Sequence, residues 1–307
     1  MAIEQISILG AGLMGHGIAL TFASAGHRVN VFDPSPAVLE SLHQRIASSM
    51  QLLGRDESSI EAALAQVSGS TTVADCVAQA NFVFEAAPEK LELKQKLFAE
   101  TIDAAPGTAT IASNTSVIQI SKIVRNLKSR DRLLGTHWWN PPHQIPLVEV
   151  IKTEWTDVSV ASAMQALLID AGKHAVMVEK DVPGFIGNRL QHALWREAIS
   201  LVENGICSAE AVDDVVKNSF GRRLAVLGPL ENADLVGIEL TQDIHKQVLY
   251  DLENTAAPSD YLQKLLDEKK TGMSDGHGFR QWDTNDLEKT KARVADHLKK
   301  LENILQD

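Results

Sequence analysis

The 307-residue sequence predicts an α/β protein: a doubly wound, mainly parallel sheet over residues 1–180, followed by an all-α domain over residues 181–307. Three observations predict it. Apolar β-type runs alternate with helical patterns through the first half, as they do where helices cover a parallel sheet. Near Lys180 the alternation stops, and Asp181-Val182-Pro183-Gly184 punctuates the chain. Every later segment reads as helix.

In chain order, the strand candidates are Gln5–Leu9, Arg28–Phe32, Asn81–Ala86, Ala109–Ala112, Leu133–His137, Leu147–Ile151 and Ala175–Val178. Helical spacing falls between them at roughly 13–25, 36–52, 58–66, 90–103 and 157–171. A long helix from Phe185 to Glu203 follows, with Phe185, Leu190, Leu194, Ile199 and Val202 at helical spacing. Further helices are expected near 208–219, 229–251, 258–269 and 284–305, the last carrying Leu287, Val294, Leu298, Leu301 and Leu305 on one face. Apolar helices in so small a domain often complete their core against a second copy, so a homodimer is expected.

Composition narrows the function classes. The net charge of -11 is spread along the chain, so no basic stripe exists to neutralise nucleic-acid phosphates. No apolar run reaches the ~18 residues that a membrane span requires. The opening MAIEQISILG lacks the basic start of a secretory signal. Cys76 and Cys207 stand in unrelated segments, without metal-ligand spacing or a disulfide framework. These features fit a soluble protein of a reducing cytoplasm, with a small-molecule substrate, no nucleic acid and no metal.

Gly10-Ala11-Gly12-Leu13-Met14-Gly15 reads G-x-G-x-x-G between a strand and a helix. Gly10 permits the tight turn, Gly12 lets backbone approach a pyrophosphate, and Gly15 lets helix and strand pack closely. The N–H groups of Leu13 and Met14 open the helix whose positive end would hold the pyrophosphate. Asp33 ends the next strand, where a carboxylate binds the adenosine 2′-hydroxyl and repels a 2′-phosphate. The first domain is therefore expected to be a Rossmann-type domain that binds NAD.

Asn114-Thr115-Ser116 follows the strand Ala109–Ala112, His137 ends the strand Leu133–His137, and Glu149 comes twelve residues later. Together they form an alcohol-oxidation set. A histidine takes the hydroxyl proton as hydride leaves the adjacent carbon, and a carboxylate on its other ring nitrogen fixes the tautomer. Trp138 and Trp139 are bulkier than a slender acyl chain requires, unless they pack the strand end.

With Glu85-Ala86-Ala87-Pro88-Glu89, His137-x-x-Asn140-Pro141, Leu147-Val148-Glu149 and Pro183-Gly184-Phe185-Ile186-Gly187-Asn188-Arg189, the sequence resembles the 3-hydroxyacyl-CoA dehydrogenase family over nearly its whole length. The resemblance implies His137 as general base and Glu149 as its partner. It implies Ser116 and Asn188 as substrate contacts beside the nicotinamide, and Glu89, Lys94, Ser116 and Asn140 as residues that line the cofactor. It also implies the L (3S) alcohol. His143 is taken as a pocket or structural residue.

Two departures bear on substrate. The acyl-CoA enzymes carry lysines after the second strand, whereas Asp33 to Ser70 has none, its basic side chains being His43, Arg45 and Arg55. Ser274 stands where the family usually has a cofactor-facing lysine. Asn140-Pro141-Pro142-His143, Ile145-Pro146-Leu147-Val148-Glu149 and the run Phe220 to Glu231 resemble the branch that acts on free acids: L-gulonate 3-dehydrogenase with lambda-crystallin, carnitine dehydrogenases and a pyridoxine-degradation dehydrogenase. Arg223 is then the expected clamp for a substrate carboxylate. The alternatives are a short-chain L-3-hydroxyacyl-CoA dehydrogenase and a non-catalytic, crystallin-like NADH-binding protein. A lysine-dependent β-hydroxyacid dehydrogenase would need a catalytic lysine where Asn188 and Arg189 stand.

Overall fold

The computed structural model describes residues 2–305. Among them, eight strands form one sheet: β1 Gln5–Leu9, β2 Arg28–Phe32, β3 Val67–Ser70, β4 Phe82–Glu85, β5 Thr110–Ser113, β6 Leu133–Trp138, β7 Leu147–Ile151 and β8 His174–Val178. Their order is β3-β2-β1-β4-β5-β6-β7-β8. All neighbours run parallel except β6 and β7, which pair antiparallel. The strand order reverses between β1 and β4, so the crevice beyond their carboxyl ends is where such a sheet binds ligands.

Two apolar layers sandwich the sheet. One holds Ile6, Ile8, Phe22, Phe84 and Trp138, and the other Val83, Phe98, Ile111, Leu133 and Phe185. Each such side chain contributes on the order of 1.5–3 kcal/mol by leaving water. The helix Leu13–Ser24 is buried continuously from Gly15 to Ala23, so its small residues are what let it lie flat on β1.

The chain divides into two compact units. One is Met1–Arg189, joined by the residues from Leu298 on; the other is Leu190–His297. The first unit therefore runs past the boundary expected near Lys180. Residues beyond it are bound into the sheet domain: Asp181 Oδ2 accepts from the Ser121 N–H at 2.6 Å, and Phe185 is buried in the core. The second unit holds the helices Ala209–Asn218, Pro229–Val236, Ile238–Val248 and Asp260–Asp267, with most of the long helix Gly187–Glu203. The helix expected over 229–251 is thus broken at Gly237, whose φ of 99° no continuing helix allows. Likewise the pattern over 36–52 divides at Ser41 into Pro36–Glu40 and Leu42–Leu52. The last helix is Asp286–Leu305, and the side chain of Leu305 lies outside the described residues. Among the described residues no helix is long and apolar enough to cross a membrane.

The glycine turn carries the tightest constraint. Gly10 has φ +110°, and a Cβ at Gly15 would stand 1.7 Å from the Gly10 carbonyl oxygen. Gly15→Ala is expected to lower Tm by roughly 3–10 °C, from about 1–3 kcal/mol of overpacking, and to weaken NADH binding. Thermal denaturation with and without NADH measures both, and a wild-type Tm would contradict this reading of the turn.

Candidate active site

The dinucleotide crevice is built at the ends of β1 and β2. The Gly10 N–H donates to the Phe32 carbonyl at 2.7 Å, which folds the glycine turn against β2. Gly12 caps the helix Leu13–Ser24 without a side-chain hydrogen bond, and a Cβ there would meet nothing within 4 Å. The turn thus faces open space with the helix N–H groups of Leu13 and Met14 at its head, a cradle that fits a pyrophosphate. Asp33 Oδ2 accepts from the Ala11 N–H at 2.9 Å and Oδ1 from the Ser35 N–H at 3.0 Å. Each oxygen keeps a lone pair for a ribose hydroxyl.

Beside β1, a buried charge network supports the loop that carries Ser116. Glu85, at the end of β4, is fully buried and accepts from Ser113 Oγ at 2.6 Å, the Ala87 N–H at 2.7 Å and Lys94 Nζ at 2.8 Å. Lys94 is fully buried as well; its other contacts are the Ala87 carbonyl at 3.2 Å and Glu89 Oε2 at 3.3 Å. Its three donors are therefore matched within the chain, and removing either partner of the buried pair would cost roughly 3–5 kcal/mol. Glu89 Oε1 accepts from Thr115 Oγ1 and from the N–H groups of Ser116 and Val117 at 3.0 and 3.3 Å. Burial pushes the Glu89 carboxyl up, yet these donors and Lys94 outweigh it and hold it below the usual range. Sequence reasoning assigned Glu89 and Lys94 to the cofactor but gave Glu85 no role. Its signal was a carboxylate at a buried strand end nine residues before a lysine.

The antiparallel pairing of β6 with β7 sets His137 directly opposite Glu149. Cross-strand partners share a face of the sheet, and here His137 Nδ1 lies 2.7 Å from Glu149 Oε2. Both are buried, at 3% and 1% exposure, so water does not compete for the bond. A carboxylate can only accept, so Nδ1 carries the hydrogen and Nε2 keeps a lone pair. Glu149 Oε1 accepts from the N–H groups of Ile186 and Gly187 at 2.8 and 3.1 Å. Burial raises the Glu149 pKa, but the His137 bond and these two N–H groups prevail and keep it below the ordinary carboxylate range.

Asn188 joins the same site: its Nδ2 donates to the Ser116 carbonyl at 2.8 Å. Ser116 itself is exposed, as is Asn140 in the loop after β6. Asn114 Oδ1 accepts from the Trp138 N–H at 3.0 Å, tying the end of β5 to that of β6. The two tryptophans part company because successive strand residues face opposite ways. Trp138 packs edge-on to Phe22 and Phe84 in the core, whereas Trp139 lies 5.2 Å from the His137 ring. Arg223 and Ser274 lie in the second unit, Arg223 just after the short turn Phe220–Arg222.

His143 lies half-buried near the glycine helix. Its ring lies 6.0 Å from that of His16, and its buried Nδ1 has no hydrogen-bond partner. Lys173 Nζ approaches the same loop, donating to the Pro142 and Ile145 carbonyls at 2.6 and 3.1 Å. Burial, then the charges of His16 and Lys173, lower the His143 pKa to about 4.

A dinucleotide crevice at the switch point of a doubly wound sheet, beside a histidine–carboxylate pair, defines an NAD-dependent oxidoreductase acting on a CH–OH group. Comparison with known proteins agrees. Residues 5–182 match the NAD-binding domain of 3-hydroxyacyl-CoA dehydrogenase, and residues 184–282 match its C-terminal domain. The chain belongs to the 3-hydroxyacyl-CoA dehydrogenase family. It is 33% identical to 5-formyl-3-hydroxy-2-methylpyridine 4-carboxylate 5-dehydrogenase of Mesorhizobium japonicum, over 97% of this chain and 96% of the relative. It is 35% identical to L-carnitine dehydrogenase of Streptomyces griseus, over 77% and 71%, and 34% identical to human mitochondrial hydroxyacyl-coenzyme A dehydrogenase, over 91% of each. The crystal structure of a 5-formyl-3-hydroxy-2-methylpyridine 4-carboxylic acid 5-dehydrogenase, an NAD+-dependent dismutase, superimposes with a TM-score of 0.90 at 31% identity, covering 99% of both chains.

The half-buried His143 gives the fold a pH signature. Its folded pKa is about 4 against 6.5 unperturbed, so between these values the unfolded chain binds a proton that the folded chain does not. Its contribution to stability is complete above pH 6.5 and is lost as pH falls toward 4. His143→Asn is expected to make the fall in Tm over this window shallower, with His16, also lowered by burial, keeping its own share. Denaturation curves of the two proteins at several pH values test it; an equally steep fall in both would contradict the assignment.

Proposed function

We propose that this protein oxidises the 3-hydroxyl of a free hydroxy acid, gulonate- or carnitine-like, to the 3-keto acid, with His137 as general base. The observation that carries the reading is the buried His137–Glu149 pair, which leaves Nε2 with the lone pair a base requires. His137 takes the hydroxyl proton, and Glu149 stabilises the imidazolium that results. Ser116 and Asn188, joined through the Ser116 carbonyl, hold the substrate oxygen beside it. NAD, when bound, accepts the hydride, held by Gly10, Gly12, Leu13, Met14, Gly15 and Asp33, with Glu89, Ser116 and Asn140 along the nicotinamide side and the buried Lys94 beneath them, holding Glu89. This intact set argues against a purely structural, crystallin-like role.

The free-acid choice rests on what surrounds the site. No lysine occurs between Asp33 and Ser70 to meet a CoA phosphate. Two of the three basic side chains there bind the chain itself: His43 Nε2 lies 3.1 Å from the Val67 carbonyl, and Arg45 donates to Ser41 Oγ at 3.2 Å and the Val38 carbonyl at 3.0 Å. Two of the relatives bear names of free acids, carnitine and a pyridine carboxylate. Arg223 is the proposed clamp for that carboxylate. The second reading, a short-chain L-3-hydroxyacyl-CoA dehydrogenase, is favoured by the identity to the human hydroxyacyl-CoA enzyme. A cytoplasmic homodimer completes the proposal; Leu230, Leu235 and Tyr250 of the second unit are 80%, 74% and 81% exposed, large side chains that a second copy would cover.

Purified protein with NAD is offered gulonate, carnitine, 3-hydroxybutyrate and 3-hydroxybutyryl-CoA, with His137→Ala as control. Turnover confined to free acids is expected. Arg223→Ala should then raise KM for the acid by about tenfold or more, the loss of one charge-assisted hydrogen bond, without altering NADH binding. Preference for the thioester, or unchanged acid kinetics in the variant, would overturn the substrate assignment.

A further inference from the structure

Phe185 has a backbone that its residue type resists. Its φ is +51°, in the left-handed region that a bulky side chain rarely enters, and it follows Gly184 at φ +75°. Yet Phe185 is 1% exposed, and its N–H donates to the Val182 carbonyl at 3.1 Å. A glycine here would adopt the same turn without strain. Strain of this kind persists only where the surroundings hold it, and it gathers at functional sites.

The turn delivers four successive residues to the active site. The Phe185 ring lies 5.6 Å from the His137 ring, and the Trp139 ring lies 5.2 Å from it. The next two N–H groups, of Ile186 and Gly187, both meet Glu149 Oε1. Asn188 then reaches the Ser116 carbonyl. Gly187 closes the assembly, since a Cβ there would stand 2.4 Å from Trp139 Cζ2. With Oε1 held by two backbone donors, the Glu149 carboxylate has one orientation, in which Oε2 faces His137. Among the described contacts of the imidazole, Glu149 supplies the charge and the two aromatic rings are neutral.

We propose that Phe185 is a positioning residue for the His137–Glu149 pair: its left-handed backbone aims the two N–H groups that orient Glu149, and its ring fixes the tilt of the imidazole. The proposal rests on the reading of His137 as the base. Without Phe185 the carboxylate is free to swing off Nδ1. The imidazole then loses the acceptor of its Nδ1–H and the counter-charge that the imidazolium needs.

The test uses the NADH-bound protein, with histidine ring nitrogens labelled and His137 assigned by its loss in His137→Ala. Nuclear magnetic resonance follows the Nδ1–H signal without any substrate. In Phe185→Ala, His137 is expected to lose the protected Nδ1–H signal, with NADH affinity within about twofold. Turnover of the substrate found by the panel should fall by roughly tenfold or more in kcat, a part of the 10²–10⁴ that general acid–base catalysis supplies. Phe185→Gly, which adopts the turn freely, should recover part of the Nδ1–H signal but not the wild-type kcat. If Phe185→Ala fails to fold, Phe185→Leu is read in its place, and Phe185→Gly keeps the outcome just stated. A wild-type Nδ1–H signal and kcat in a folded variant would overturn the proposal. A wild-type protein inactive toward the whole panel would instead count against the functional reading, while the Nδ1–H signal still decides the role of Phe185.

Discussion

The hydrogen bond between His137 and Glu149 is the interaction on which the rest of this site depends. It exists because one strand pair in an otherwise parallel sheet runs antiparallel, setting two residues twelve apart in sequence face to face. Burial makes the bond strong and also makes it demanding. A carboxylate removed from water needs further donors, and the Ile186 and Gly187 N–H groups supply them. The head of the long helix is thereby fixed against the base, and Asn188 is carried to Ser116 as a consequence.

A second buried carboxylate organises the opposite side. Glu85 gathers Ser113, Ala87 and Lys94, and Lys94 in turn holds Glu89, which accepts from the loop of Thr115, Ser116 and Val117. Both devices follow one rule. A charge is placed under a loop, fully hydrogen-bonded, so that the loop has a single position. The exposed groups of the site, Ser116 and Asn140, are free to meet ligands because the buried ones are spoken for.

Much of this was legible in the sequence, for physical reasons that differ by residue. β1, β2 and β7 were expected with the bounds they have, since each sets apolar residues around isolated polar ones at strand spacing between clear turns. β3 was missed because Val67-Ser68-Gly69-Ser70 buries one residue fully and pairs at the sheet edge, so no pattern marks it. Gly237 sat within a helical pattern, and only its backbone angle reveals the break. The G-x-G-x-x-G turn, Asp33, His137, Glu149 and Asn188 were readable as types at a spacing. What brings His137 onto Glu149 is strand direction, which period-two patterning does not encode. Lys94 was expected along the cofactor, and its complete burial beneath Glu89 follows from tertiary packing alone. Trp138 and Trp139 were separable once the strand was known, because alternation sends one to the core and one to the base.

The most direct test of the account is the Glu149→Gln variant, which preserves shape while removing the charge and allowing the other histidine tautomer. Its kcat and NADH affinity would be measured beside wild type on the substrate that the wild-type protein turns over. The account predicts a fall in kcat on the order of 10²–10⁴, with NADH binding retained and the fold intact. A kcat within about threefold of wild type would contradict it, since a loss that small is under 1 kcal/mol and would leave the buried pair without a part in the chemistry.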